Sequence, residues 1–175
     1  AGTITTHREK YFYRWTDPYP MTLNDLTHGQ SAPNDQQRLV AGMLSLQNLL
    51  DIIRIFTIFS INDKGKKIKI VCRYQQFRAV KKMVKRLQEG KTKEDRGGIL
   101  WHTQGSGKSL TMMFLVRQMQ LLTALQSWKV VFVTDRTQLE EQLGDTGGGV
   151  GFNLKKAEFI NPRADKPMCS LKELL

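Results

Sequence analysis

Cysteine is scarce in this 175-residue chain: Cys72 and Cys169 lie far apart, with no CxxC spacing. A disulfide scaffold is therefore excluded, and the two thiols read as reduced ones in a cytoplasmic protein. Histidine is almost as rare, and His7, His28 and His102 show no metal-ligand spacing. Long hydrophobic runs are lacking. The longest, Ile52 to Ile61, is about half a membrane span and contains Arg54, so a transmembrane helix is excluded and no membrane partner is expected. There is no internal repeat, and no low-complexity tract beyond Gly147-Gly148-Gly149. The first residues, Ala1-Gly2-Thr3-Ile4-Thr5, have neither an initiator Met nor a signal-peptide pattern, and read as a cut made inside a longer chain.

Hydrophobic residues make up 40% of the chain, an ordinary globular mix that argues against disorder. Charge is abundant, and it is uneven. Residues 1–60 carry 5 basic and 5 acidic groups, residues 61–96 carry 13 and 4, and residues 97–175 carry 9 and 7, giving the net +11. A concentrated basic stretch suits a polyanion, nucleic acid or nucleotide phosphates. It equally suits a solvated helix face followed by a lysine-rich turn.

Patterning places the elements. Residues 1–33 read as irregular. Asn34 with Gln37 forms a capping-box pattern, and Leu39, Val40, Met43, Leu46 and Leu50 predict a helix over 35–50. Ile55 to Ile61 predicts a buried strand, and Lys67 to Val71 a strand with one polar face. An amphipathic helix is expected over 76–89, with Val80, Met83, Val84 and Leu87 inward and Lys81, Lys82, Lys85 and Arg86 outward. Gly98 to His102 predicts a short strand with Trp101 in the core. A buried helix is expected over 108–126, a strand over Val130 to Val133 and a short helix over Thr137 to Leu143. Five glycines between Gly144 and Gly151 predict a loop, and Ser170 to Leu175 the first turn of a further helix. Strand–helix–strand from 98 to 133 is a βαβ unit, so a parallel sheet is expected.

Gly105-Ser106-Gly107-Lys108-Ser109 falls between the strand and the buried helix, where a phosphate-binding loop belongs. Glycines let backbone N–H groups turn toward phosphates without Cβ clashes, and the helix N-terminus adds partial positive charge. Lys108 would reach the β- and γ-phosphates, and the Ser109 hydroxyl would bind Mg²⁺. The strict motif has glycine at position 102; this chain has His102. That histidine reads as a structural residue at the strand end rather than a catalytic base. Upstream, Arg73-Tyr74-Gln75-Gln76 opens the basic helix. A glutamine amide can pair with the adenine edge, and an arginine or aromatic neighbour can stack on the ring. Downstream, Val130 to Arg136 ends in polar groups. Asp135 could be a Mg²⁺-binding acid or a helix cap, and Thr134 and Arg136 could touch nucleic-acid phosphates.

Taken together, these segments resemble the R (restriction) subunit of type I restriction enzymes, which has a superfamily 2 helicase-like motor. Trp101-His102-Thr103-Gln104-Gly105-Ser106-Gly107-Lys108-Ser109 resembles that family's Walker A segment, in which His at the second of these positions is usual. VVFVTDRTQLEEQL, Val130 to Leu143, resembles its motif Ia, and Arg73 to Val80 resembles the Q motif, with Gln76 as the adenine-reading residue. The resemblance implies an α/β fold: a partial RecA-like P-loop domain with a parallel sheet over 61–175, preceded by a mostly helical or irregular junction over 1–60, after a nuclease domain. It implies ATP and Mg²⁺ as cofactors, held by Arg73, Gln76 and Thr103 to Ser109, with Lys108 and Ser109 as the catalytic pair and Thr134 and Arg136 on DNA. Its partners would be double-stranded DNA and the M and S subunits, and its activity ATP-dependent DNA translocation leading to endonucleolytic cleavage. A DEAH-type acid pair and an arginine finger, which the family also has, are not in this sequence. The same residues are compatible with another superfamily 2 DNA helicase or remodeller, a P-loop small-molecule kinase, or a DNA-binding module without enzymatic activity.

Overall fold

The computed structural model describes residue 6 and residues 9–27, 32–61 and 64–132. After a 3-10 turn at Glu9–Tyr11, the elements are α1 (Leu23–Thr27), α2 (Asp35–Met43), α3 (Leu46–Arg54), β1 (Thr57–Ile61), β2 (Lys67–Val71), α4 (Tyr74–Glu89), α5 (Lys93–Arg96) and α6 (Lys108–Gln120).

The capping box forms as its spacing predicts. Gln37 N–H donates to Asn34 Oδ1 at 2.8 Å, and Asn34 N–H donates to Gln37 Oε1 at 2.9 Å. The helix it opens does not run to residue 50. It stops at Leu44, and α3 starts after Ser45. The break is stabilised from the side: Asn48, buried, donates from Nδ2 to Gly42 O at 2.7 Å and to Tyr19 O at 2.9 Å, satisfying a carbonyl that the ended helix leaves open. Gly42 also lies under the indole of Trp15, where an added Cβ would be 2.4 Å from Nε1. The apolar spacing that suggests one helix is buried only in its first part: Leu39 and Met43 pack on the core, Val40, Leu46 and Leu50 are exposed, and Ile52 carries the packing of α3.

Strands β1 and β2 pair antiparallel, with Thr57 opposite Val71 and Ile61 opposite Lys67. The inner face presents Ile58, Ile68 and Ile70 to the core, and the outer face carries Phe59, Lys67 and Lys69. This is the one ladder among the described residues, so the parallel sheet expected over 98–133 is not found there. Gly98 to His102 forms neither helix nor strand, and Trp101, expected in the core, is 88% exposed. Residues 129–132 likewise form neither helix nor strand. An extended segment becomes a strand only when a neighbour takes up its N–H and C=O groups, and neither segment has one among the described residues.

Helix α4 is amphipathic, as its periodicity predicts. Phe77, Ala79, Val80 and Val84 are buried, and its lysines and arginines line the other side. Helix α6 ends at Gln120, and turns carry the chain on to Trp128. One aromatic chain ties the fold together. Trp15 lies 5.9 Å from Phe77, Phe77 lies 4.9 Å from Phe56, and Phe56 lies 5.4 Å from Phe114 of α6. Met43, Ile52, Val80, Met113 and Met119 complete a core that residues on both sides of position 60 share. Burying such large side chains contributes about 1.5–3 kcal/mol each.

Candidate functional site

The loop from His102 to Gly107 leads into α6, and its glycines adopt conformations that other residues resist. Gly105 has φ of +73° and Gly107 has φ of +80°. At Gly107 space is limiting as well: an added Cβ would lie 2.5 Å from Gln76 Nε2. Gly107 is the N-cap of α6 and supplies no side chain, so the first N–H groups of this 13-residue helix receive no side-chain cap. They form an anion-facing end with partial positive charge.

Lys108 folds back over the loop. Its ammonium donates to His102 O at 2.9 Å and to Thr103 O at 3.0 Å. Thr111, fully buried, donates from its hydroxyl to Gly107 O at 3.1 Å and fixes the first turn of α6. Ser106 Oγ and His102 Nδ1 are buried atoms without a hydrogen-bond partner among the described residues. Burial, and then the charge of Lys108, hold the His102 imidazole below its ordinary pKa. Thr103 and Gln104 are exposed on the loop, and Ser109 is half-buried in the first turn.

Gln76 is only 2% exposed. Its Nε2 donates to Ser106 O at 3.3 Å and to Gly107 O at 3.0 Å, and its Oε1 accepts from Arg73 N–H at 2.9 Å. Both ends of the amide are thus engaged, with α4 clamping the loop from behind. The Arg73 guanidinium lies 3.5 Å from the centroid of the Tyr13 ring. Arg73, Gln76 and residues 103–109 are therefore brought into one neighbourhood. Thr134, Asp135 and Arg136 lie outside the described residues.

Two features escaped sequence reasoning. Tyr13 reaches Arg73 across 60 positions, and no periodicity signals that. The second is an open groove of about 310 Å³ beside the loop, lined by Tyr74, Gln75, Arg78, Ala79, Lys82, Leu100 and His102. Five of its residues come from positions 74–82 of α4, with only Lys82 from the lysine stripe, and Leu100 and His102 come from the segment before the loop, a pairing that no local pattern signals. Among the described residues no group of three or more His, Cys, Asp or Glu could hold a metal ion, and no helix is long and apolar enough to cross a membrane.

Residues 102–109 thus combine a glycine-bent loop, a lysine folded back over it and a helix start without a side-chain cap. The SWI2/SNF2 ATPase family matches residues 75–165, more than half of the chain, and the chain belongs to that family. Its relatives are narrower in kind. The HindI type I restriction enzyme endonuclease subunit of Haemophilus influenzae is 37% identical over 115 residues, 65% of this chain and 11% of that protein. A candidate type I restriction enzyme endonuclease subunit of Methanocaldococcus jannaschii, MjaIXP, is 38% identical over 127 residues, 70% of this chain and 12% of that protein. Another candidate from the same organism, MjaVIIIP, is 34% identical over 105 residues. The sequence thus resembles type I restriction endonuclease subunits, as its motifs imply, and spans about a tenth of the length of the relatives it matches. No solved structure matches the chain.

Proposed function

We propose that this chain is the nucleotide-binding start of an ATP-driven DNA translocase motor within a type I restriction endonuclease subunit. The observation that carries this reading is the clamped loop: Gly105 and Gly107 at positive φ, with Gln76 bonded to the carbonyls of Ser106 and Gly107. A loop held in that shape from behind keeps its N–H groups directed outward at no further entropic cost.

The residues present fit a nucleotide triphosphate with Mg²⁺. Ser106 Oγ is a buried hydroxyl lacking a partner among the described residues, the start of α6 lacks a side-chain cap, and Gly107 leaves no room for a Cβ. Lys108 would exchange two neutral carbonyls for charged phosphate oxygens, a stronger, charge-assisted contact. Ser109, one residue into α6, would hold the Mg²⁺. Bound ATP supplies the phosphoryl group whose hydrolysis drives the motor. With both ends of its amide engaged, Gln76 serves the nucleotide through the loop it holds, and Arg73 supports it from the N-cap of α4. In the whole subunit, Thr134 and Arg136 would contact double-stranded DNA, residues 98–102 and 130–133 would join a parallel RecA-like sheet, and the M and S subunits would direct cleavage in the cytoplasm.

Titration calorimetry tests this reading. Lys108→Ala should reduce ATP affinity at least tenfold, because a charge-assisted contact contributes about 1.5–3 kcal/mol. ATP affinity that does not change sinks the phosphate-loop assignment. The 175-residue chain alone should bind ATP weakly without turnover. Mg²⁺-dependent turnover that Asp135→Asn abolishes would favour a compact P-loop enzyme instead.

A further inference from the structure

We propose that His102 is a proton-linked residue of the candidate nucleotide site: its imidazole takes up a proton from solvent as a triphosphate binds the loop, so that binding adds a cation beside the anion. This rests on the nucleotide reading above and names a further residue for it. His102 stands where three features meet. Its backbone carbonyl accepts from the Lys108 ammonium at 2.9 Å. Its side chain lines the groove of about 310 Å³ that α4 forms with the segment before the loop. Its Nδ1 is buried and makes no hydrogen bond among the described residues. A histidine that serves only to brace a strand end would commit that nitrogen to a neighbour, and the bond would fix its tautomer and its charge. Here Nδ1 is uncommitted, so the ring's protonation follows the charges around it.

Those charges are of one sign. From α4, Tyr74, Arg78 and Lys82 line the groove with His102, and from the start of α6 Lys108 folds back onto its carbonyl. No carboxylate lines the groove. Arg78 is offset by Asp17, with which it pairs, and Lys82 is exposed to solvent. Lys108 is therefore the charge that bears most directly on the ring. Burial first, and the Lys108 charge second, favour the neutral imidazole.

Binding reverses that balance. To reach phosphate oxygens Lys108 must leave the carbonyls of His102 and Thr103. Its charge is then neutralised, and the loop that begins at His102 carries a net negative charge from the ligand. A nearby charge of opposite sign favours the protonated ring, and a low-dielectric, partly buried setting strengthens the effect. The proton adds to a ring nitrogen, whose lone pair forms the new N–H bond, and it comes from solvent. By linkage, a complex that holds more protons than its separate parts tightens as pH falls. Affinity for a triphosphate should therefore rise toward pH 6, and the rise should depend on His102.

Histidine ring resonances of the 175-residue chain, followed by NMR from pH 5 to pH 8.5 at saturating Mg²⁺, test the proposal. The resonance missing from His102→Gln identifies His102 among the three histidines. Without nucleotide, Lys108→Met should move the His102 midpoint to higher pH, which checks the electrostatic coupling apart from the nucleotide reading. In the parent, ATP should move the midpoint to higher pH, inorganic tripolyphosphate should do the same, and adenosine should leave it in place. The affinity of the parent for ATP, divided by that of His102→Gln, should be at least about twofold greater at pH 6 than at pH 8. Should Lys108→Met fail to fold by circular dichroism, the ATP and tripolyphosphate titrations of the parent decide alone. ATP that binds without moving the midpoint would overturn this proposal and leave the nucleotide reading standing, whereas no ATP binding at any pH would overturn both. An equal movement with adenosine, a folded Lys108→Met with an unmoved midpoint, or an affinity ratio that is flat with pH would also overturn it.

Discussion

Replacing Gly107 with alanine should reveal how the loop before α6 is held. Two costs are visible in the structure. The residue has φ of +80°, and an alanine there costs about 1–2 kcal/mol. The added Cβ would also come within 2.5 Å of Gln76 Nε2 and displace an amide that makes two donations, each contributing about 1 kcal/mol. Gly107→Ala should therefore destabilise the chain by about 2–4 kcal/mol, read from the urea midpoint at constant slope. Gln76→Ala alone should cost about 1–3 kcal/mol, from the missing hydrogen bonds and a buried cavity. In the Gln76→Ala background the clash disappears and only the backbone strain remains, so the same glycine change should then cost about 1–2 kcal/mol. The cycle should show an interaction of at least 1 kcal/mol, with the double variant more stable than the sum of the singles. Additivity within about 0.5 kcal/mol would show that the amide does not support the loop, and the clamp argument would fail.

Other expectations follow from the same contacts. Gln76→Ala should weaken ATP and GTP binding in equal proportion; a falling ATP-to-GTP ratio in calorimetry would instead make the side chain a reader of the base edge. The depressed His102 pKa means the unfolded chain takes up that proton first as pH falls. The stability that neutral His102 contributes is present above its ordinary pKa and is lost as pH drops through the folded value. His102→Gln should accordingly flatten the stability profile from pH 7 to pH 5, and an unchanged profile would contradict the burial argument. Burial pushes the Cys72 thiol well above its ordinary pKa. In a Cys169→Ser background, iodoacetamide at pH 8 should therefore modify the folded chain far more slowly than the urea-unfolded one. Lys81 and Asp51 are 2.6 Å apart and half-buried, whereas Arg14 and Asp35 are 3.4 Å apart and exposed. Asp51→Asn should cost about 1 kcal/mol or more and Asp35→Asn less than half of that, measured by the same denaturant midpoints.

Local signals were legible in the sequence wherever a few neighbouring residues decide the outcome. The Asn34–Gln37 box, the inward stripe of α4 and the start of α6 after Gly107 all depend on contacts within one or two turns. The failures have a common cause, which is a distant partner. Apolar spacing from Leu39 to Leu50 suggests one helix, but Asn48 reaches back to Gly42 and Tyr19, and Trp15 lies over Gly42, so two short helices form instead. The apolar composition of Gly98 to His102 suggests a strand with a buried Trp101, yet strand formation needs a neighbour that local composition does not encode. Ile99 is 95% exposed there, which shows that a hydrophobic run measures demand for burial and not its fulfilment.

The site was legible in the same partial way. Glycine, lysine and serine at fixed offsets mark a loop because each position carries a separate local signal: positive φ at 105 and 107, which the structure has, and the cation at 108 and hydroxyl at 109 on which the proposed function draws. Gln76 belongs to another order of information. Its spacing from Arg73 is that of a residue three places into a helix, and that geometry does form, with Oε1 accepting from Arg73 N–H. The opposite end of the amide has no local partner, and sequence reasoning assigns it to a base edge. The fold assigns it to the carbonyls of Ser106 and Gly107, about thirty positions away. A buried amide must satisfy its donors wherever the chain delivers acceptors, and the packing of α4 against α6 delivers these two. The same packing makes a side chain at 107 impossible without moving Gln76, so the glycine and the glutamine constrain one another. A motif that reads as two independent signals, one upstream and one at the loop, is in physical terms a single clamp.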